Sequence, residues 1–495
     1  MTVISIEGIL NAAAEKWGSR NFIYSKENGE FRPKTFRRTI NDVRALAAGL
    51  INAGLYNRHI LIYGENSYEW AVCDLAVMGF AGVTVAASKE WKENDLENVI
   101  NISDAECIIY SNSKTEIINS LRKKYNIKYI SMQDDFSQLL KTGYEILDKK
   151  NVPEKRNTDE MCKIVFTSGT TSSSKAVMLS GKNLFFGFES LRRRAPMDET
   201  DKVYLFLPLS HTYGGIYNFL SCLYFGMELY LCSDTDKIFE ELREVNPTIF
   251  SAVPLIYERV YSMLSEQTIN QVQMKNEICM QEIKEIFGGS IRYLFCGGAP
   301  YDTSIRKFYK DAGLNIMEAY ALTETASSLA IEYSGSSSVT SSGAIFEDIE
   351  VKFADTDENG HGEILVRGGN VALGYYKNEE ETKKAFDEDG YFHTGDIGYK
   401  DENNQLFLIG RKRRVIVFSN AENIYPDELE ELLMNNEGVS KAKVFEKDRK
   451  ITAVLYIQQG TDAEKIINET NELLPDYKRI KAYEAAEDSV NTRLK

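Results

Sequence analysis

The chain has 495 residues, more than one ordinary domain, and carries 58 Lys and Arg against 74 Asp and Glu, a formal charge of −16. That charge repels phosphate backbones and argues against a nucleic-acid scaffold, so any anionic ligand needs a local site. Hydrophobic residues at 43% and charged residues at 27% are globular values that exclude disordered and fibrous architectures.

In chain order, the opening predicts an amphipathic helix: Ser5 caps it, and Ile6, Ile9, Leu10, Ala13 and Trp17 share one face. Strand-like and helix-like segments then alternate. Strands are expected at 60–63, 82–86, 106–110, 163–166 and 291–295, with a helix over 69–78. Apolar strands separated by helices imply an α/β fold of layers with largely parallel sheets. The longest nearly apolar stretch, 75–87, is too short to cross a bilayer. The first residues lack a basic segment followed by an apolar run, so no secretory signal is expected. Seven cysteines without a CxxC pair fit reduced thiols better than a disulfide framework or zinc site. These features predict a cytoplasmic protein with no transmembrane segment and no nucleic-acid partner. Peripheral contact with a membrane stays open.

The texture changes near residue 331. A Ser/Gly stretch and short segments punctuated by Asp, Asn and Gly predict a small antiparallel or barrel-like β subdomain over about 331–409. A second break follows Gly410, at the basic run 411–414, which reads as a hinge or solvated surface in so acidic a chain. Beyond it, Pro426 suits a first helical residue, and Leu429, Leu432 and Leu433 share a face. Strands are expected at 439–445 and 451–457. Residues 410–495 are therefore expected to form a small α+β domain after a large domain spanning 1–409.

The most informative segment leaves the 163–166 strand. Thr167, Ser168, Gly169, Thr170 and Thr171 are followed by three serines and Lys175. A loop with exposed amides, many hydroxyls and one ammonium is suited to polyphosphate oxygens. A Ser/Thr run by itself would read as a polar connector; the preceding strand and the terminal lysine favour phosphate. It is not a Walker loop, because Ser174 replaces the last glycine and Ala176 lacks the Mg²⁺-binding hydroxyl.

This loop resembles the T-S-G-T-T-G-x-P-K-G-V motif of the adenylate-forming superfamily, the acyl-CoA synthetases and their relatives. Further segments resemble the family's motifs in the family's order. They are Ala319-Tyr-Ala-Leu-Thr-Glu-Thr325, Gly362-Glu-Ile-Leu-Val-Arg-Gly, Gly374-Tyr-Tyr-Lys-Asn, Tyr391-Phe-His-Thr-Gly-Asp396 and Gly410-Arg-Lys412. Leu207-Pro-Leu-Ser-His211 and the 419–426 segment look most like the long-chain fatty acyl-CoA synthetase branch.

The resemblance implies a large adenylation domain with a mobile C-terminal lid. It implies a reaction of ATP with a carboxylic acid to give an acyl-adenylate, then thioester formation with coenzyme A. It assigns the 167–171 loop residues and Lys175 to the phosphates, Thr323 to the α-phosphate and Glu324 to Mg²⁺. Tyr320 would stack on adenine, with Gly298 and Ala299 letting backbone approach the ligand. Asp396 and Arg411 would bind the ribose hydroxyls. His211, Tyr213 and Gly214 would border the acyl pocket, Arg413 would be the hinge, and Lys495 the lysine bridging carboxylate and phosphate.

Without the family, Thr323-Glu324 reads as a helix start, Tyr320 as a core residue, Gly395-Asp396 as a turn and His211 as structural. The chain departs from the family pattern at Ser172, Ser174, Ala176, Ala321 and Ala421; the loop serines cost little chemically, whereas Ala321 and Ala421 restrict any positive-φ backbone. No acidic residue follows Leu207-Pro-Leu-Ser-His211 at the point where amino-acid-activating relatives in the family carry one for the substrate ammonium, which favours an uncharged acyl tail, with a long-chain fatty acid the first expectation. The rival readings are loading of an acyl carrier protein, a nucleotide- or acyl-binding protein without turnover, and an unrelated P-loop NTPase.

Overall fold

The computed structural model describes residues 5–149, 157–167, 175–299, 301–334, 339–412, 416–417, 423–424, 426–447, 450–474 and 478–487. The first helix, Ile6–Trp17, begins as its sequence dictates: Ser5 Oγ accepts from the Gly8 amide at 2.9 Å, and the five apolar residues of one face are buried. Strands too apolar to face water on either side, such as Gly82–Ala87 and Cys107–Tyr110, sit inside sheets covered by helices.

The chain divides into two compact units, one formed by Met1–Glu350 and Arg367–Phe392, the other by Val351–Val366 and His393–Lys495. The first holds two large sheets. In the six-stranded sheet the order is Lys128–Ser131, Cys107–Tyr110, Arg58–Tyr63, Gly82–Ala87, Met161–Phe166, Ala176–Ser180. All neighbours there are parallel except the last two, which form an antiparallel hairpin. The nine-stranded sheet has a parallel centre, including Ile249–Ala252, Tyr293–Gly297 and Ile316–Tyr320, and antiparallel strands at both edges. Buried Leu61, Val85, Ile108 and Ile164 belong to the core of the six-stranded sheet, each stabilising by about 1.5–3 kcal/mol. Lys163, the single charged residue of Met161–Phe166, is buried against Asp74 at 2.6 Å. A buried pair of this kind costs about 3–5 kcal/mol to break, so it fixes the strand that leads into the hydroxyl-rich loop.

The second unit combines a four-stranded sheet in sequence order, from Glu350–Ala354 to Leu406–Arg411, with a three-stranded sheet. In the latter, Val439–Lys447 runs antiparallel to Lys450–Ile457, which runs parallel to Ala482–Glu487. The helix Pro426–Met434 opens at the expected proline and buries Leu429 and Leu433 in a core with Leu455 and Ile466.

Phe392–Lys400 pairs backbone to backbone with Leu406–Arg411, and all of this hairpin except Phe392 lies within the second unit. Ala330–Ile331 and Ala344–Ile345 extend the nine-stranded sheet. Among the described residues no helix is long and apolar enough to cross a membrane.

Candidate active site

The hydroxyl-rich loop is the connection of the Met161–Phe166 and Ala176–Ser180 hairpin. Its two ends are tied: the Thr167 amide donates to the Lys175 carbonyl at 3.1 Å, and the Lys175 amide donates to Thr167 Oγ1 at 3.2 Å. Ser168, Gly169, Thr170 and Thr171 lie outside the described residues, as do Arg413, Ala421 and Lys495.

Residues 373–376 lie along the outer side of Ala176–Ser180, with the Leu373 amide bonded to Met178 O and the Tyr376 amide to Ala176 O. This carries Tyr375 to the mouth of the loop. The Lys175 ammonium sits 4.6 Å from the centre of the Tyr375 ring and 2.8 Å from Glu381 Oε2. The Tyr375 hydroxyl donates to Glu324 Oε1 at 2.9 Å. The loop lysine and the Thr-Glu motif, about 150 residues apart in sequence, are thereby joined through one tyrosine. Glu324 is buried, and its Oε2 has no hydrogen-bond or ion partner among the described residues, which suits a divalent cation. Lys175, and after it Lys384, hold the Glu381 carboxyl down to about 2.

Thr323 begins a short 3₁₀ turn, Thr323–Thr325. The side chain that caps this turn is Thr325, whose Oγ1 accepts from the Leu322 amide at 3.0 Å, which leaves Thr323 out of the capping bond. Ala321 is not among the positive-φ residues; Ala326 (φ 47°) and Ser327 (φ 59°) are. The missing family glycine at 321 therefore carries no backbone strain, while each of the two left-handed residues after the turn costs about 1–2 kcal/mol. Tyr320 ends the Ile316–Tyr320 strand and is buried. Gly298 follows the adjacent strand at φ 87°, which favours glycine there, and Ala299 beside it is exposed.

A cavity of about 490 Å³ reaches Thr167 and Gly298, while Lys175, Tyr320, Thr323 and Glu324 are not part of its lining. Val99, Phe166, Leu207, Pro208 and Val253 form its apolar wall, and Thr167 and Gly298 also line it. Ser88, Asp95, Asn98 and His211 supply polar groups. The Asp95 carboxylate is engaged, accepting from the Lys92 amide at 2.9 Å to cap the helix Glu93–Ser103. Desolvation lowers the His211 pKa, and His211 Nδ1 accepts from the Tyr213 amide at 3.2 Å, which leaves the proton of the neutral ring on Nε2. Tyr213 opens a π-helix, Tyr213–Leu220, a geometry that recurs at functional sites. A Cβ at Gly214 would come within 2.2 Å of Pro208 O, so glycine permits this helix to lie on the Leu207-Pro208 backbone.

In the second unit, Asp396 and Arg411 are direct partners across adjacent strands, with Nε 2.7 Å from Oδ1. Asp396 is buried and Arg411 exposed. The Lys412 ammonium lies 2.7 Å from Glu363, which raises its pKa.

The AMP-binding enzyme family profile matches residues 10–376. The chain belongs to that family. It is thus an adenylate-forming, AMP-forming acid–CoA ligase family enzyme, as its motifs implied. The long-chain-fatty-acid–CoA ligase FadD15 of Mycobacterium bovis is 27% identical to it over 465 residues, spanning 84% of this chain and 76% of the relative. ATP-bound MatB from Rhodopseudomonas palustris superposes with a TM-score of 0.82 at 22% identity, covering 99% of this chain and 95% of that one. O-succinylbenzoate coenzyme A synthetase from Bacillus subtilis, solved with ATP and a magnesium ion, gives 0.76 at 20% identity over 97% and 95% of the two chains. At these identities the two solved structures establish a shared fold.

Two members of the site in this AMP-binding enzyme escaped the sequence reading. Tyr375 lay inside a recognised motif, Gly374-Tyr-Tyr-Lys-Asn, yet nothing in its spacing revealed that the segment adds to the Ala176–Ser180 edge. Glu381 stood in a run of three glutamates that reads as a solvated helix start. Of the polar residues that line the cavity, His211 was singled out by the sequence, and Ser88, Asp95 and Asn98 were not.

Proposed function

We propose that the enzyme activates a long-chain fatty acid with ATP and transfers the acyl group from the adenylate to coenzyme A. The observation that carries this reading is the cavity. Its wall is largely apolar, its charged carboxylate is already engaged in a helix cap, and its lining includes Thr167, the first residue of the proposed phosphate loop. An acyl tail with its carboxylate toward Thr167 fits that distribution of groups. The fatty-acid ligase named above supports the same substrate class.

A free carboxylate is a poor acyl donor, since its leaving group would be oxide; the adenylate supplies a phosphate leaving group instead. The enzyme has to bring carboxylate and triphosphate, both anionic, into contact. In this reading Thr167, the 168–171 loop residues and Lys175 hold the phosphates, and Thr323 contacts the α-phosphate. Glu324 would hold Mg²⁺, which would offset the repulsion between the two anions. Tyr320, Gly298 and Ala299 receive adenine. Asp396 and Arg411 receive the ribose hydroxyls once their mutual ion pair gives way. His211, Tyr213 and Gly214 border the acyl group, the latter two shaping the wall. The lid of this mechanism starts at 410, turns at Arg413 and carries Lys495 to the reacting oxygens.

The test is product formation from a panel of carboxylic acids with ATP and Mg²⁺, with hydroxylamine trapping the adenylate. Long-chain acids giving hydroxamate without coenzyme A, and thioester only with it, are expected. Thioester on an acyl carrier protein but none on coenzyme A would transfer the reading to carrier loading. Absence of hydroxamate from every acid would overturn it.

A further inference from the structure

The Lys175 ammonium is already neutralised. Glu381 Oε2 lies 2.8 Å from it, and the other oxygen of the same carboxylate, Oε1, lies 3.0 Å from Lys384. One carboxylate therefore stands between two ammonium groups, and its low pKa keeps it ionised at any working pH. We propose that Glu381 is a positioning residue that competes with the β,γ-phosphates of ATP for Lys175, releasing the lysine when ATP binds and recovering it as pyrophosphate leaves. This rests on the reading of Lys175 as a phosphate ligand.

The geometry makes the exchange balanced. When Lys175 turns to a phosphate oxygen, Glu381 keeps Lys384, which itself also contacts Glu380 at 2.7 Å, so no carboxylate is stranded. The Tyr375 ring, 4.6 Å from the ammonium, provides a face along which the cation moves without losing all favourable contact. Lys175 and Glu381 side chains are 26% and 29% exposed, open enough for partners to change and too open for the pair to act as a structural lock. A triphosphate carries several charges against the single charge of Glu381, so ATP wins the lysine. AMP has no β,γ-phosphates and leaves the pair intact.

Four proteins decide it: wild type, Glu381→Gln, Lys175→Ala and the double variant, with ATP, pyrophosphate and AMP affinities measured by calorimetry. Glu381→Gln is expected to tighten ATP and pyrophosphate by about two- to fivefold, the range of an exposed ion pair, with AMP unchanged and the thermal midpoint close to that of the parent. In the Lys175→Ala background the same change is expected to do nothing. If Lys175→Ala weakens ATP while Glu381→Gln alters neither ATP nor pyrophosphate, the competition is refuted and the phosphate reading stands. If Lys175→Ala leaves ATP binding as in wild type, the phosphate reading itself falls. Equal tightening of AMP, or persistence of the effect without Lys175, would also refute the competition.

Discussion

Two charged clusters flank the Ile316–Tyr320 strand and its following turn, and they are built for opposite purposes. In one, the Arg306 guanidinium is buried, donating from Nη1 to Glu318 at 2.8 Å and to Ser341 O at 3.0 Å, with Nη2 against buried Glu332. In the other, Lys175, Glu381, Tyr375 and Glu324 form a partly open chain of contacts. The sealed cluster has nowhere to send its charges, so it fixes the strand that carries Tyr320. The open cluster has partners in reserve, so its charges are free to be exchanged for those of a ligand. Burial, more than the residue types involved, separates the structural site from the chemical one.

The largest effect is expected from breaking the sealed cluster. Arg306→Met leaves two carboxylates, Glu318 and Glu332, without their shared cation. It should destabilise the protein by about 3–5 kcal/mol, read as a lowered denaturant midpoint. The ATP KM of the molecules that stay folded should not change. A loss of ATP affinity with normal stability would show that the two clusters are not separable.

Lys175→Ala, in the open cluster, should do the reverse. The unfolding midpoint stays near that of the parent, since exposed pairs contribute little to stability. The adenylation rate should fall by about 10²-fold or more, as on losing a preorganised electrostatic contact. Wild-type adenylation in this variant would remove the open cluster from the chemistry. Asp396→Ala should act on nucleotide affinity and not on stability. It removes a charged acceptor, so ATP and AMP should weaken together by about 1.5–3 kcal/mol in a titration of each nucleotide. An unaltered AMP affinity would mean that Asp396 serves only to pair with Arg411.

Much of the fold was legible in the sequence wherever the determinants are local. The Ser5 cap and the apolar face through Trp17 follow from a few residues, as do Pro426 at a helix start and the strand ahead of Thr167. The nearness of Lys175, Thr323 and Glu324 was implied by family motifs, and the link through Tyr375 was not. That link depends on a strand-like pairing across about 200 residues, which no local periodicity encodes. The sheet that Ala344–Ile345 joins was not legible for the same reason. Two-residue strands such as Ala330–Ile331 are too short to declare which sheet they join.

The smallest effect separates the clusters by the sign of their pH dependence. Burial raises the pKa of Glu332, outweighing Arg306, whereas Lys175 lowers that of Glu381 to about 2. A carboxyl with a raised folded-state pKa contributes stability that is full below its unfolded value near 4.5 and is lost as pH rises through the folded value. A carboxyl with a lowered pKa contributes stability above 4.5 that is lost as pH falls toward 2. Glutamine mimics the protonated form in both places. Glu332→Gln should therefore be most destabilising, relative to the parent, at the acid end of a urea series and less so as pH rises. Glu381→Gln should show a small deficit that is constant from about pH 6 to 8 and shrinks only below 4.5. Difference curves of opposite slope would confirm that one cluster is organised by desolvation and the other by an exchangeable ion pair. Parallel curves would mean that Arg306 holds Glu332 as firmly ionised as Lys175 holds Glu381, and the contrast between the two clusters would then be one of exposure alone.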